Sequence, residues 1–337
     1  MHQRMGVEPD SGGPVFVVGM NGSGTTMLSD CLDNSTELYV FPFETVTIPL
    51  FIKKLHRFGP LDDAENLKRL FLAFKKTSAF RRPILKESSR FEDVREPTFF
   101  GVIDAVYRTL ATTHKDTCRW LEKSPMNVQF MGEIAEHVPG AKFVHIYRDG
   151  RDVALSNARR FHHDLESTMY RWVQVVRIGR RDGAKLGPDR YFELSYEALT
   201  EDPEHWMRGV SAFIGIPYSD ALLRSAMPWM SGPKRNPVAE KVGGISRNSG
   251  KWRSEIPAAK LVALERLGGR LLSDLGYQTD FPLSEQPPGD WKRAFWEAKD
   301  YFLRARVAVL RGHLLARPGR TLYRWVERVR YRWNQKI

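Results

Sequence analysis

Residues 14–26 read PVFVVGMNGSGTT, and this stretch decides the architecture. Val15, Phe16, Val17 and Val18 form a short, β-branched apolar run that closes on Gly19. A run without polar alternation is the pattern of a parallel strand covered on both faces. From Gly19 to Thr26 the spacing is that of a phosphate-binding loop, G-x-x-x-x-G-K-[ST], with Thr25 standing where that motif has lysine. Small residues let consecutive backbone N–H groups turn toward one anion, and the helix expected over Thr25–Leu32 adds its positive end. Asn21, Gly22, Ser23, Gly24, Thr25 and Thr26 are therefore the candidate anion-binding residues. Without the lysine the loop is poorly equipped for a triphosphate held with Mg²⁺. A site for one phosphate group and a ligand-free strand-to-helix turn are the two readings that stay open.

Outward from this loop the pattern alternates between strands and helices. Residues 45–58, 64–75, 98–114 and 128–137 have helical spacing, and 118–121 is a short strand. AKFVHIYR, residues 141–148, is a second buried strand that turns at Asp149 and Gly150 into a helix beginning near Arg151. A third strand at 190–194 runs into Ser195 and Tyr196, with helices over 203–214 and 258–275. The alternation predicts an α/β fold, a P-loop-like parallel sheet flanked by helices. Residues 227–250, rich in Pro, Gly, Ser and Asn, read as a long loop. The expected division is a disordered segment over 1–13, one domain over 14–280, and a basic, aromatic, helical extension over 281–337.

Composition narrows the function. The chain has 337 residues and two cysteines, Cys31 and Cys118, which excludes a disulfide scaffold or a cysteine-rich zinc site and fits a reducing compartment. Its first 13 residues lack the apolar core of a signal peptide, and no apolar run approaches the ~20 residues that span a bilayer. The expectation is a cytoplasmic protein, free or peripheral to a membrane. Of the net charge of +12, most belongs to the residues from Asp290 onward, which hold 13 Lys/Arg against 4 Asp/Glu. Basicity confined to the tail, with no base-reading motif, counts against nucleic acid. Interleaved aromatic and arginine residues there suit an anionic membrane surface, or equally a helix packed on its own domain or on a second copy.

A second constellation follows the second strand. In YRDGRDVALS, residues 147–156, Arg148 falls where the strand leaves the sheet and Ser156 lies about two helical turns on. An arginine at a strand's carboxyl end beside a hydroxyl can clamp a phosphate. The alternative is that Arg148 and Arg151 pair with Asp149 and Asp152 as a solvated helix start.

Together, VVGMNGSGTTM and FVHIYRDGRDVALS resemble the sulfotransferase family that uses 3′-phosphoadenosine 5′-phosphosulfate (PAPS), and most of all its tyrosylprotein branch. The first segment is similar to the family's 5′-phosphosulfate loop, the second to its 3′-phosphate motif. The resemblance runs over about residues 14 to 280. It implies the sulfotransferase fold, PAPS as donor with PAP as product, no required metal, and a hydroxyl-bearing acceptor such as a lipid, a carbohydrate or a tyrosine. It gives Glu44 the role of base that takes the acceptor's proton, and Lys123, in LEKSP, the place beside the reacting sulfate. Arg148, Ser156 and Lys251, the last in GKW with Trp252, would hold the 3′-phosphate, and Tyr196 would lie near the adenine. The family has Arg or Lys immediately before Ser-Gly-Thr-Thr, where this chain has Gly22. Read without the resemblance, Glu44 caps a helix starting near Thr45, Lys123 is a surface lysine and Tyr196 a core aromatic. An ATP-dependent phosphoryl transferase and a non-catalytic, membrane-associated nucleotide-binding protein are the competing functions, and the oligomeric state is open.

Overall fold

The apolar run Val15–Gly19 is buried throughout and forms β1, the middle strand of a parallel sheet. The structure, a computed structural model, describes residues 12–77, 80, 89–224, 245, 247–281, 288–296 and 298–299. The expectations for residues 1–11, for most of the loop over 227–250 and for the tail from residue 300 lie outside them.

From β1 the chain passes through α1 (Thr25–Leu32) to β2 (Tyr39–Val40), then through α2 (Ile48–Ile52), α3 (Ala64–Lys75) and α4 (Phe99–Lys115) to β3 (Trp120–Lys123). After α5 (Met131–His137) comes β4 (Lys142–Tyr147), and α6 (Gly150–Phe161) and α7 (Leu165–Leu186) precede β5 (Tyr191–Ser195). Next are α8 (Tyr196–Glu201), α9 (Pro203–Ile214), α10 (Trp252–Glu255) and α11 (Ala258–Asp274). These elements fall into two compact units, one made of Met1–Arg148 and Gln174–Ser249, the other of Asp149–Val173 and Gly250–Ile337.

The first unit holds the sheet. All pairings are parallel, in the order β2-β3-β1-β4-β5. Side-chain alternation covers both faces of β1. Val15 and Val17 join a cluster with Leu28 and Leu32 of α1, Leu199 of α8 and Val210 and Ile214 of α9. On the other face Phe16 stacks on Phe143 at 5.3 Å and meets Trp120 edge-on at 5.8 Å, with Tyr107 of α4 lying 4.5 Å from Trp120. Burial of a side chain such as Phe16 contributes about 1.5–3 kcal/mol. From β1 the chain crosses to the edge strand β2 and returns to β3, whereas from β4 it runs to β5 on the other flank. The connections therefore diverge between the carboxyl ends of β1 and β4, the place where open α/β sheets bind ligands.

Several expected elements hold, and the differences have local causes. The helices at 64–75 and 203–214 form as expected, with Asp63 and Asp202 accepting from the first-turn amides. The expected strands at 118–121 and 190–194 lie slightly later, at Trp120–Lys123 and Tyr191–Ser195. Of the helix expected over 45–58, only Ile48–Ile52 is α-helical, with a 3-10 turn at Leu55–Arg57, because the amides of Thr45 and Val46 are held by Glu122 of β3 and by Ser124 just after it. The helix expected over 128–137 is likewise a 3-10 turn, Pro125–Phe130, followed by α5. Helix α7 escapes the sequence reading because Gly179 and Gly183 interrupt it. Both are close-approach residues: a Cβ on Gly179 would fall 2.6 Å from His145, and one on Gly183 2.3 Å from the Tyr191 ring. Cys31 is buried in the core, its thiol pushed up to about 12 by burial, and Cys118 is half-buried.

In the second unit Arg151 overturns the expectation of a solvated helix start. It is 1% exposed, donates to Asp149 at 3.0 and 2.7 Å and to Glu265 of α11 at 2.6 Å, and lies 3.6 Å over the Trp252 ring. Asp149 caps α6, accepting from the Arg151 amide at 2.9 Å. Glu265 also accepts from the amides of Asp280 and Phe281, at 2.9 and 3.0 Å. The start of the extension is helical over 290–296, with Trp296 against Tyr170 at 6.1 Å and Lys299 paired with Asp164 at 2.7 Å.

Candidate active site

The glycine loop leaves β1 at the divergence point. Gly22 and Gly24 adopt φ of 97° and 101°, in the left-handed region that glycine enters without strain. At Gly24 a Cβ would also fall 2.6 Å from the Tyr196 ring, so the loop needs glycine for space as well as for angle. No side chain caps α1, so its first amides stay available to a ligand. Ser23 is 0% exposed and its hydroxyl has no hydrogen-bond partner. A buried orphan hydroxyl at an uncapped helix start fits a loop built to receive an anion. Thr25 is buried, whereas Asn21 and Thr26 are half-buried.

Arg148 reaches this loop. Its Nη1 donates to the Gly22 carbonyl at 3.2 Å and its Nη2 to the Asn248 carbonyl. The guanidinium is 4.5 Å from the centre of the Tyr196 ring, and both side chains are buried. Tyr196 thus supports Arg148 on one side and touches the loop at Gly24 on the other. Register explains the meeting: Gly19 pairs with Ile146, so the ends of β1 and β4 lie side by side.

Lys123 and Glu44 form a second cluster in the same unit. Lys123 ends β3, is 7% exposed and lies 3.3 Å from Glu44 Oε1. Glu44 is exposed and does not cap a helix, since α2 begins at Ile48 with Thr47 before it. Val46, two residues on, has φ 51°, a left-handed conformation rare for a β-branched residue and worth about 1–3 kcal/mol of strain.

Glu122 is what the sequence reading passed over. It is fully buried between these groups, and Oε1 accepts from the Thr45 hydroxyl at 2.7 Å, the Thr45 amide at 3.4 Å and the Ser124 hydroxyl. Its Oε2 accepts from Asn127 Nδ2 at 2.7 Å. Burial raises its pKa, and the hydrogen bonds from Ser124 and Thr45 and the charge of Lys123 pull against that. Neighbouring Lys123 in LEKSP was the available signal, because a carboxylate inside a buried strand has to be compensated.

The remaining expected residues lie in the second unit. Ser156 is half-buried on α6. Lys251 is exposed at the start of α10, and Trp252 is buried, its amide donating to Asp152 at 3.2 Å and its ring facing Arg151.

Comparisons with known proteins point one way. A family model described as the sulfotransferase family matches residues 14–220. A protein-tyrosine sulfotransferase of Drosophila melanogaster is 24% identical over 318 residues, covering 85% of this chain and 58% of the relative. An uncharacterized protein of Aquifex aeolicus is 28% identical over 256 residues, 71% of this chain and 30% of that protein. This chain therefore spans less than two thirds of either relative. Among solved structures, the sulfotransferase domain from the curacin biosynthetic pathway superposes with a TM-score of 0.50 at 18% identity, covering 80% of this chain and 99% of that domain.

Proposed function

This chain belongs to the sulfotransferase family, and from that premise we propose that it moves a sulfuryl group from PAPS to a hydroxyl acceptor. The observation that carries the reading is the 3.2 Å contact between Arg148 and Gly22, two candidate phosphate-binding elements 126 residues apart in sequence. It supports a site that takes a 5′-phosphate at the loop and a 3′-phosphate at Arg148, and the 3′-phosphate separates PAPS from ATP.

When bound, PAPS supplies the sulfuryl group, and PAP is the product. The chain's own residues divide the remaining work. The amides opening α1, with the Ser23, Thr25 and Thr26 hydroxyls, hold the 5′-phosphosulfate, and Asn21 borders them. Arg148 holds the 3′-phosphate, braced by Tyr196. Ser156 and Lys251 enter as partners for that phosphate on their sequence motifs alone, and Trp252 stands beside Lys251. Glu44 Oε takes the acceptor's proton. Lys123 Nζ supplies the positive charge that the family draws from the residue before Ser23, here Gly22.

Transfer of ³⁵S from labelled PAPS to a panel of lipid, carbohydrate and tyrosine acceptors tests the reading. Titration with PAP and with ATP, with and without Mg²⁺, identifies the donor. Metal-independent PAP binding is expected; preference for ATP would indicate phosphoryl transfer, and PAP binding without transfer to any acceptor class a binding protein.

We further propose a position at the inner face of a membrane. Trp291 and Phe295, 76% and 57% exposed, lie near the start of the basic extension. Among the described residues no helix is long and apolar enough to cross a bilayer. Flotation with anionic vesicles should drop in a Trp291→Ser, Phe295→Ser chain; unchanged flotation dismisses these anchors.

A further inference from the structure

Glu44 and Lys123 sit on different segments, a loop after β2 and the end of β3, yet their charged atoms are 3.3 Å apart. Something has to hold the loop in place, since Glu44 is exposed and Val46 is in a left-handed conformation. The ties run to the residues on either side of Lys123. Glu122 accepts from both the hydroxyl and the amide of Thr45, and the Val46 amide donates to Ser124 Oγ at 3.1 Å. Ser124 in turn donates to Glu122, and so does Asn127. Tyr107, buried, donates to Thr45 Oγ1 at 3.0 Å.

Thr45 Oγ1 accepts from Tyr107 and donates to Glu122, and Ser124 Oγ accepts from the Val46 amide and donates to Glu122. The Thr45 amide and Asn127 Nδ2 complete a set of donors around the carboxyl group. A single buried carboxyl group thus gathers the residue after Glu44 and the residue after Lys123.

We propose that Glu122 is a positioning residue for sulfuryl transfer: through Thr45 and Ser124 it locks the Glu44 loop to the end of β3 and so sets the Glu44–Lys123 pair. The inference deepens the proposed function and rests on it for the roles of Glu44 and Lys123. Glu122 touches neither donor nor acceptor; it acts through Thr45 and Ser124.

The decisive variant is Thr45→Val, which removes the hydroxyl held by Glu122 while leaving every charge in place. Thr45 is half-buried and valine matches its shape, and cooperative urea unfolding of the variant verifies its fold. Three measurements on the full chain follow: PAP affinity, acceptor kcat and KM, and the rate of Lys123 acylation, read by mass spectrometry. Thr45→Val is expected to lower kcat at least tenfold, to leave PAP affinity within twofold, and to speed Lys123 acylation severalfold, as the buried lysine loses the carboxylate held 3.3 Å from it. Thr45→Ser keeps the hydroxyl and should behave as the parent. Glu122→Gln should also restore most of the turnover lost in Glu122→Ala, because Asn127 Oδ1, now without a partner, can turn to accept from the new amide. Wild-type kcat and an unchanged Lys123 acylation rate in Thr45→Val would overturn the proposal. A parent chain that transfers no sulfuryl group would refute the proposed function instead, and the acylation rate would still decide whether the clamp holds the pair.

Discussion

Removal of the Arg148 side chain tests the site at its most informative point. The guanidinium is 7% exposed, bridges two backbone carbonyls and lies 4.5 Å from the Tyr196 ring centre, so it is held before any ligand arrives. A hydrogen bond to a charged group contributes about 1.5–3 kcal/mol. For a desolvated arginine facing a phosphate the upper half of that range applies. At about 1.4 kcal/mol per decade, Arg148→Ala should weaken PAP binding by roughly 40-fold to 150-fold. Arg148→Lys should recover only part of the loss, since an ammonium cannot reproduce the planar fork or its packing on Tyr196. Isothermal titration with PAP is the assay, and adenosine 5′-phosphate, which lacks the 3′-phosphate, is the control whose affinity should barely move. A PAP affinity within threefold of the parent's, in a protein that still unfolds cooperatively, would remove Arg148 from the site and with it the argument that joins the two motifs.

Three further outcomes are expected. Glu44→Gln should leave PAP binding intact and lower turnover by at least ~10²-fold, the scale of a lost general base; near-normal turnover would assign the base elsewhere. Buried His145 is kept neutral, its pKa lowered to about 3 by burial and, to a lesser degree, by the charge of Arg180. The unfolded chain therefore binds a proton at this site that the folded chain refuses, so stability present above the unfolded value of 6.5 is lost as pH falls toward 3. From pH 7 to pH 5 this amounts to about 2 kcal/mol, which urea unfolding should register in the parent and not in His145→Asn; equal slopes in the two would contradict it. Arg151→Met strands Asp149 and Glu265 without their cation and should cost about 3–5 kcal/mol in the same assay, with part of the loss recovered in Arg151→Met, Glu265→Met. A cost below about 1 kcal/mol would mean that the triad is effectively solvated.

Much of this was legible in the sequence. A β-branched run ending in glycine can be little other than a covered parallel strand, and β1 and β4 lie where that logic puts them. The proximity of Arg148 to Gly22 was foreseeable in kind, because both occupy carboxyl ends of strands in one parallel sheet. What escaped was decided by tertiary contacts. The two glycines in α7 read as breakers and act as spacers against β4 and β5. Helical spacing after Thr45 yields to hydrogen bonds that Thr45 donates to Glu122 of β3, 77 residues away, which no local propensity reports. Glu122 looked like the neighbour of an interesting lysine, and only its burial shows how many groups converge on it. Arg151 resembled one more surface charge beside an aspartate, since its second partner, Glu265, is 114 residues distant.

The carbonyls that hold Arg148 set a threshold for whatever enters. A neutral ligand hydroxyl offers the guanidinium nothing better than the peptide oxygens it already has, so it would leave the arginine undisturbed. A dianion outbids them. On the proposed function, selectivity at this corner of the protein is a contest between acceptors, decided by ligand charge rather than by shape, and raising ionic strength should weaken PAP binding more than binding of adenosine 5′-phosphate.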